Sequence, residues 1–224
     1  LDALREQYGE NVLPLAHNLD RHDDNRNAAN QARQQFGRID VLVNNAGYGL
    51  QGMTEEVSME QVRAQMETNF FGLVDLTQHV LPAMREQESG YIVNISSIAG
   101  LAGMGSLGIY NASKFAVVGF SEALAQEMKP FGLRVSIVEP GPYRTDWAGA
   151  SLDRAQPMQH PDPNSVYTSQ NEKMRQWMDS ADGQQPGDPN QIARVLFEAS
   201  RAEKPPLHMI FGDEAIGAWE KRMG

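Results

Sequence analysis

Short apolar runs rich in β-branched residues recur along this chain, with helical patterns between them. The runs fall at 39–43, 91–95 and 133–138. Each is too short for a buried helix and has the composition of a strand covered on both faces. Helical patterns at 58–86 and 108–128 fill the gaps. A strand, a helix and a further strand make a parallel pair with a right-handed crossover. Repetition of that unit predicts an α/β fold: a doubly wound parallel sheet.

The remaining elements follow from local signals. Residues 1–8 read as the end of a helix stopped by Gly9, and 12–16 as a short strand. A helix is expected at 23–36 with Gly37 as its stop. Ser58 opens the next one, with Gln61 at the capping-box position and Pro82 as a possible kink. Beyond 133–138 the segment 143–186 is rich in Pro, Asp, Gln and Ser, with a helical piece near 172–178. A helix at 189–199 and a strand at 207–211 complete the pattern. The expectation is one domain over 1–224, with an insertion at about 143–186 of the length that lids and binding loops have.

Composition excludes several classes. The formal net charge is −10, which opposes nucleic acid as a main partner. There is no cysteine, so disulfides and thiolate chemistry are out, and a reducing, cytoplasmic setting is expected. No apolar run approaches the ~20 residues of a membrane span. The five histidines, His17, His22, His79, His160 and His208, show no metal-ligand spacing, so no metal is expected.

In a doubly wound sheet, ligands bind beyond the carboxyl ends of the strands. Asn44-Asn45-Ala46-Gly47, Ser96-Ser97 and Pro140-Gly141-Pro142 each follow a strand. Small residues there let a ligand approach the backbone. On the helix at 108–128, Tyr110 and Lys114 lie four residues apart and share a face. An ammonium beside a phenol favours the phenolate and lowers its pKa from ~10, giving an acid/base for near-neutral pH. Ser97, 13 residues upstream of Tyr110, is positioned to donate to a carbonyl substrate.

"NNAG" (44–47), "METNFFG" (66–72), "IVNISS" (92–97), "YNASK" (110–114) and "EPGPYRT" (139–145) occur in this order. With them the whole chain resembles the short-chain dehydrogenases/reductases, and "NNAGYG" and "EPGPYRT" the branch of 17β-hydroxysteroid and retinol dehydrogenases. The resemblance implies a Rossmann-type fold and NAD(P)-dependent interconversion of an alcohol with a ketone or aldehyde. Tyr110 would be the general acid/base and Ser97 would polarise the substrate oxygen. Lys114 would tune Tyr110 and bind the nicotinamide ribose, and Asn69 would hold a water linking Lys114 to solvent. Asn45, Ala46 and Gly47 would flank the adenosine side, with Asn44 bracing strands. Pro140, Gly141, Tyr143 and Thr145 would surround the nicotinamide. Asn18 stands where the family often has an aspartate near adenine. The partners implied are a small-molecule alcohol or carbonyl substrate and a second copy, in a homodimer or homotetramer paired through the helices at 58–87 and 108–129.

The family's Gly-rich pyrophosphate turn does not occur in this sequence. The resemblance implies that Leu1 falls within the second helix and that the first β-α-β unit is missing from this sequence. That unit also carries the residue that selects NAD or NADP; the branch resemblance leans to NADP. The alternative reading is a dehydrogenase scaffold, truncated or non-catalytic, kept for binding or assembly.

Overall fold

A computed structural model describes residues 2–160 and 163–224. Leu1, in the first expected helix, and Pro161 and Asp162, in the expected insertion, lie outside the described residues. The chain runs α1 (Asp2–Tyr8), α2 (His22–Phe36), β1 (Val41–Asn44), β2 (Gly49–Gln51), α3 (Met59–Met66), α4 (Leu73–Glu86), β3 (Gly90–Ile95), α5 (Gly108–Met128) and β4 (Leu133–Pro140). Then come β5 (Leu152–Arg154), α6 (Gln156–Gln159), α7 (Thr168–Ala181), α8 (Pro189–Arg201), β6 (His208–Phe211) and α9 (Asp213–Met223). The main sheet has the order β1-β3-β4-β6, with every pair parallel.

Strand β3 shows why the sheet is clad on two sides. Its side chains alternate between faces with period two. Ile92 packs with Ala29 of α2, Val80 and Met84 of α4, and Leu124 of α5. Tyr91 and Val93 point the other way and pack with Ala199 of α8 and Met209 of β6. Helices on both faces of a parallel sheet make the doubly wound arrangement that the strand spacing implies.

Two expectations need correction. Residues 12–16 form no strand; a 3-10 turn at Gly9–Asn11 leads into an unpaired extended stretch. A strand exists only with a ladder partner, no described residue supplies one there, and Pro14 removes a donor. Strand β1, expected to be covered on both faces, is covered on one: Val41 is 39% and Val43 49% exposed. Leu42 packs on the α2/α4 side, while the core around α8 gathers over β3, β4 and β6.

Local chemistry explains the long helical stretch. Ser58 accepts from the Gln61 backbone N–H while the Gln61 side chain reaches back to Ser58, closing the capping box. Pro82 sits inside α4, but the irregularity falls earlier, in a π-helical turn at Glu67–Gly72. Gly72 is required there by space. A Cβ would stand 2.6 Å from the Leu19 carbonyl oxygen and 2.7 Å from Leu19 Cγ.

The segment after β4 holds more structure than expected. Strand β5 pairs in parallel with β2, Leu50 opposite Asp153. Helix α7 is longer than the expected helical piece. The neck is tied: Tyr143 bridges Gly187, and Arg144 Nη1 donates to the Gln185 and Pro186 carbonyls at 2.7 and 3.0 Å.

Gly72→Ala should destabilise the protein by about 1–3 kcal/mol, the usual cost of overpacking. The check is a lowered urea midpoint with an unchanged m value.

Candidate active site

At the end of β3 the chain turns sharply and is pinned at once. Ser97 is extended (φ −176°), and its Oγ accepts from the Ala99 N–H at 3.1 Å, capping a 3-10 turn at Ile98–Gly100. Helix α5 places Lys114 one turn after Tyr110. The Lys114 ammonium donates to the Ile95 carbonyl at 2.9 Å, and Ser96 Oγ donates to the Lys114 carbonyl at 3.2 Å. The strand end and the helix are thus locked together from both sides.

Tyr110 and Lys114 are buried, 5% and 6% exposed. Burial pushes the Tyr110 phenol up to about 12, against the opposing influence of the Ser97 and Trp147 side chains. Burial also pulls the Lys114 ammonium down to about 8. The phenol therefore shifts opposite to the direction expected from the Tyr–Lys spacing. Desolvation penalises both charged forms, and the ammonium is directed at Ile95, with its nitrogen 5.8 Å from the phenol ring centroid.

A cavity of about 680 Å³ opens over these groups. Ser97, Tyr110 and Lys114 line it, as do Asn45 and Gly47 from the end of β1. Pro140, Gly141, Tyr143 and Thr145 close it from the end of β4. Asn18 and Ala46 line a second hollow of about 400 Å³, and Asn45 touches both. Of the aromatic and apolar residues in the insertion, Trp147 and Trp177 reach the main cavity. Met158 is buried outside its lining, and Tyr167 faces Glu55 and Glu56.

Asn69 lies in the π-helical turn, 1% exposed. Its Oδ1 accepts from the Tyr48 N–H at 3.0 Å, and its Nδ2 donates to the Tyr48 carbonyl at 3.0 Å and Ser113 Oγ at 3.1 Å. Both amide hydrogens are therefore in use and one oxygen lone pair remains. Asn44 braces the sheet: its Nδ2 donates to Asn94 Oδ1 at 2.8 Å and Thr77 Oγ1 at 3.0 Å.

Sequence reasoning gave no role to one residue here. Asn111 donates to the Ala99 and Ala102 carbonyls at 2.9 and 2.8 Å and accepts from the Met104 N–H at 3.0 Å. It fixes the loop roofing the cavity, and its signal was an amide one residue from the tyrosine. Trp147 lies with its ring centroid 5.0 Å from that of Tyr110. Its indole N–H is buried with no hydrogen-bond acceptor among the described residues.

The family model for short chain dehydrogenase matches residues 1–156. Oxidoreductase BOA17 of Botryotinia fuckeliana is 36% identical over 219 residues, covering 96% of this chain and 77% of its own. Retinol dehydrogenase 8 of Bos taurus is 38% identical over 178 residues, 77% of this chain and 56% of its own. Among solved structures, a short-chain dehydrogenase from Streptomyces avermitilis superposes with a TM-score of 0.87 at 32% identity, over all of this chain and 79% of that one. A short chain dehydrogenase/reductase from Burkholderia phymatum in complex with NAD gives 0.78 at 26% identity, over 93% and 73%.

The two shifted pKa values predict a stability profile. Lys114 holds its proton less tightly folded than unfolded, so between about 8 and 10.5 the unfolded chain binds more protons and stability rises with pH. Tyr110 holds its proton more tightly folded, so between 10 and about 12 stability falls again. Denaturant titrations across this range should show the rise in the wild type, and Lys114→Met should abolish it.

Proposed function

Because this chain belongs to the short-chain dehydrogenase family, we propose that it is an NAD(P)-dependent oxidoreductase interconverting an alcohol with a ketone or aldehyde. The observation that carries this reading is the convergence of Ser97, Tyr110 and Lys114 on one cavity beyond the strand ends.

The chain's own residues fit a nicotinamide cofactor. Lys114 is a buried cation with one hydrogen bond among the described residues, which leaves N–H groups for ribose hydroxyls. Gly47 supplies close backbone approach: a Cβ there would press to 3.0 Å from Asn69 Oδ1 and 3.5 Å from Lys114 Nζ. Pro140, Gly141, Tyr143 and Thr145 would border the nicotinamide, and Asn18, Asn45 and Ala46 the adenosine side. NAD(P), when bound, supplies or takes the hydride. We favour NADP from the branch resemblance.

Ser97 Oγ accepts from the Ala99 N–H, and its own O–H, which meets Tyr110, would turn to donate to the substrate oxygen. Tyr110, protonated at neutral pH at a pKa of about 12, is ready to give its proton to that oxygen when a carbonyl is reduced. Lys114, cationic below about 8, stabilises the phenolate left behind. Asn69 acts as a positioning residue: through Tyr48 and Ser113 it ties the end of β1 to the helix carrying the pair. Its spare lone pair suits the water of a proton path to Lys114.

The substrate end is apolar. Met104, Leu107, Trp147, Trp177 and Leu196 line it, which suits a bulky apolar alcohol or ketone. The segment 143–186 forms part of this wall, and we assign it as the substrate insertion of a single domain. Phe71 is 51% and Phe115 38% exposed near the α4 and α5 faces, which supports pairing with a second copy. No described helix is long and apolar enough to cross a membrane; the cysteine-free composition suits a cytoplasmic setting.

The test pairs a fluorescence titration with NADH and NADPH and turnover on a panel of bulky apolar ketones and secondary alcohols. Tyr110→Phe should lower kcat by roughly 10²–10⁴-fold while leaving nicotinamide binding and the fold intact. Near-normal turnover in Tyr110→Phe would overturn the mechanism. Absence of nicotinamide binding by the wild type would favour the scaffold reading.

A further inference from the structure

Helices α2 and α4 pack side by side, and three potential ligands meet where they touch. His22 is the first residue of α2; Asp75 and His79 are one turn apart on α4. His22 Nδ1 lies 2.6 Å from Asp75 Oδ1, His79 Nε2 lies 3.4 Å from His22 Nδ1, and His79 Nε2 lies 3.7 Å from Asp75 Oδ1. Two imidazole nitrogens and a carboxylate oxygen thus surround one point. The His22–Asp75 contact is the short one, and both contacts of the His79 nitrogen are longer.

The carboxylate is held from behind. Asn25, 1% exposed, donates through Nδ2 to Asp75 Oδ2 at 2.6 Å and to the Leu19 carbonyl at 2.9 Å. The Asn25 Oδ1 is in turn 2.6 Å from His17 Nε2. A buried amide that orients the far oxygen of a carboxylate while the near one faces two imidazoles is the outer-shell pattern of metal sites.

We propose that His22, Asp75 and His79 bind a divalent transition metal, zinc above all, which fastens α2 to α4. Zinc takes nitrogen and oxygen ligands at ~2.0–2.2 Å, and tetrahedral geometry sets such ligands about 3.3–3.5 Å apart. The two contacts of His79 are close to that already. The His22–Asp75 pair must open by about 0.8 Å on that geometry, and His22, with 61% of its side chain exposed, is free to move. Both imidazoles bind through neutral nitrogens, any proton held there leaving for solvent, and water completes the shell from the exposed side. Asp75 and His79 are four apart on one helix, but His22 stands 53 and 57 residues from them along the chain, so sequence spacing could not join it to the pair.

The test is calorimetric titration of chelator-treated protein with zinc chloride, with cobalt(II) absorption as a report of coordination geometry. The wild type should bind one equivalent, gain thermal stability and give the intense visible bands of four-coordinate cobalt. His22→Ala, at an exposed position, and His79→Gln should each weaken binding roughly 10- to 100-fold or more and lose the thermal gain. Wild-type zinc affinity no tighter than that of His22→Ala, or a cobalt spectrum like that of the aqueous ion, would overturn the proposal.

Discussion

Lys114 donates to the Ile95 carbonyl across 2.9 Å with almost no access to water. A lone buried ammonium is costly unless it is bonded and has further acceptors or the option of shedding its proton. Here it is tied to the last residue of the central strand, and burial already draws its pKa down to about 8. Moving α5 along the sheet would break this bond and expose the charge to an apolar interior. The register of helix against strand is therefore tied to a group that the fold holds at a cost.

The amides around it do a different task. Parallel strands end where ladder hydrogen bonds run out, and side-chain amides join β1 and β3 near their ends. Asn44 links β1 to β3 and α4; Asn94 carries the link on to Ser121 of α5 at 2.8 Å. Asn69 holds Tyr48 by both backbone groups, and Asn111 holds three backbone groups of the 99–104 loop. These amides bond to backbone and to one another, and burial remains the largest influence on the titration of Tyr110 and Lys114. The backbone is rigid around a pair whose proton affinities are governed by burial.

Legibility in the sequence followed the range of the interaction. The capping box at Ser58, the stop at Gly37 with its left-handed φ of 76°, and the limits of α5 are set within a few residues, and they read directly. The false strand at 12–16 had the right local composition and lacked a neighbour, which no local pattern reports. The β2/β5 pair joins residues about 100 apart and has only three residues a side. Helix α9 was not expected, although it carries local signals, Asp213 and Glu214 in its first turn and Lys221 and Arg222 in its last. At the candidate site, the residues at strand ends and on one face of α5 could be gathered from topology alone. Their titration could not, because spacing gives proximity of charge and says nothing of desolvation.

The opposing shifts of Tyr110 and Lys114 have one cause. Burial raises the phenol to about 12 and lowers the ammonium to about 8, because desolvation penalises whichever form carries charge, the anion of one and the cation of the other. At neutral pH the pair is a protonated phenol near a cation. A phenolate could form in place only where positive charge offsets its lost hydration, and the Lys114 nitrogen, 5.8 Å from the ring centroid, is directed at Ile95 instead.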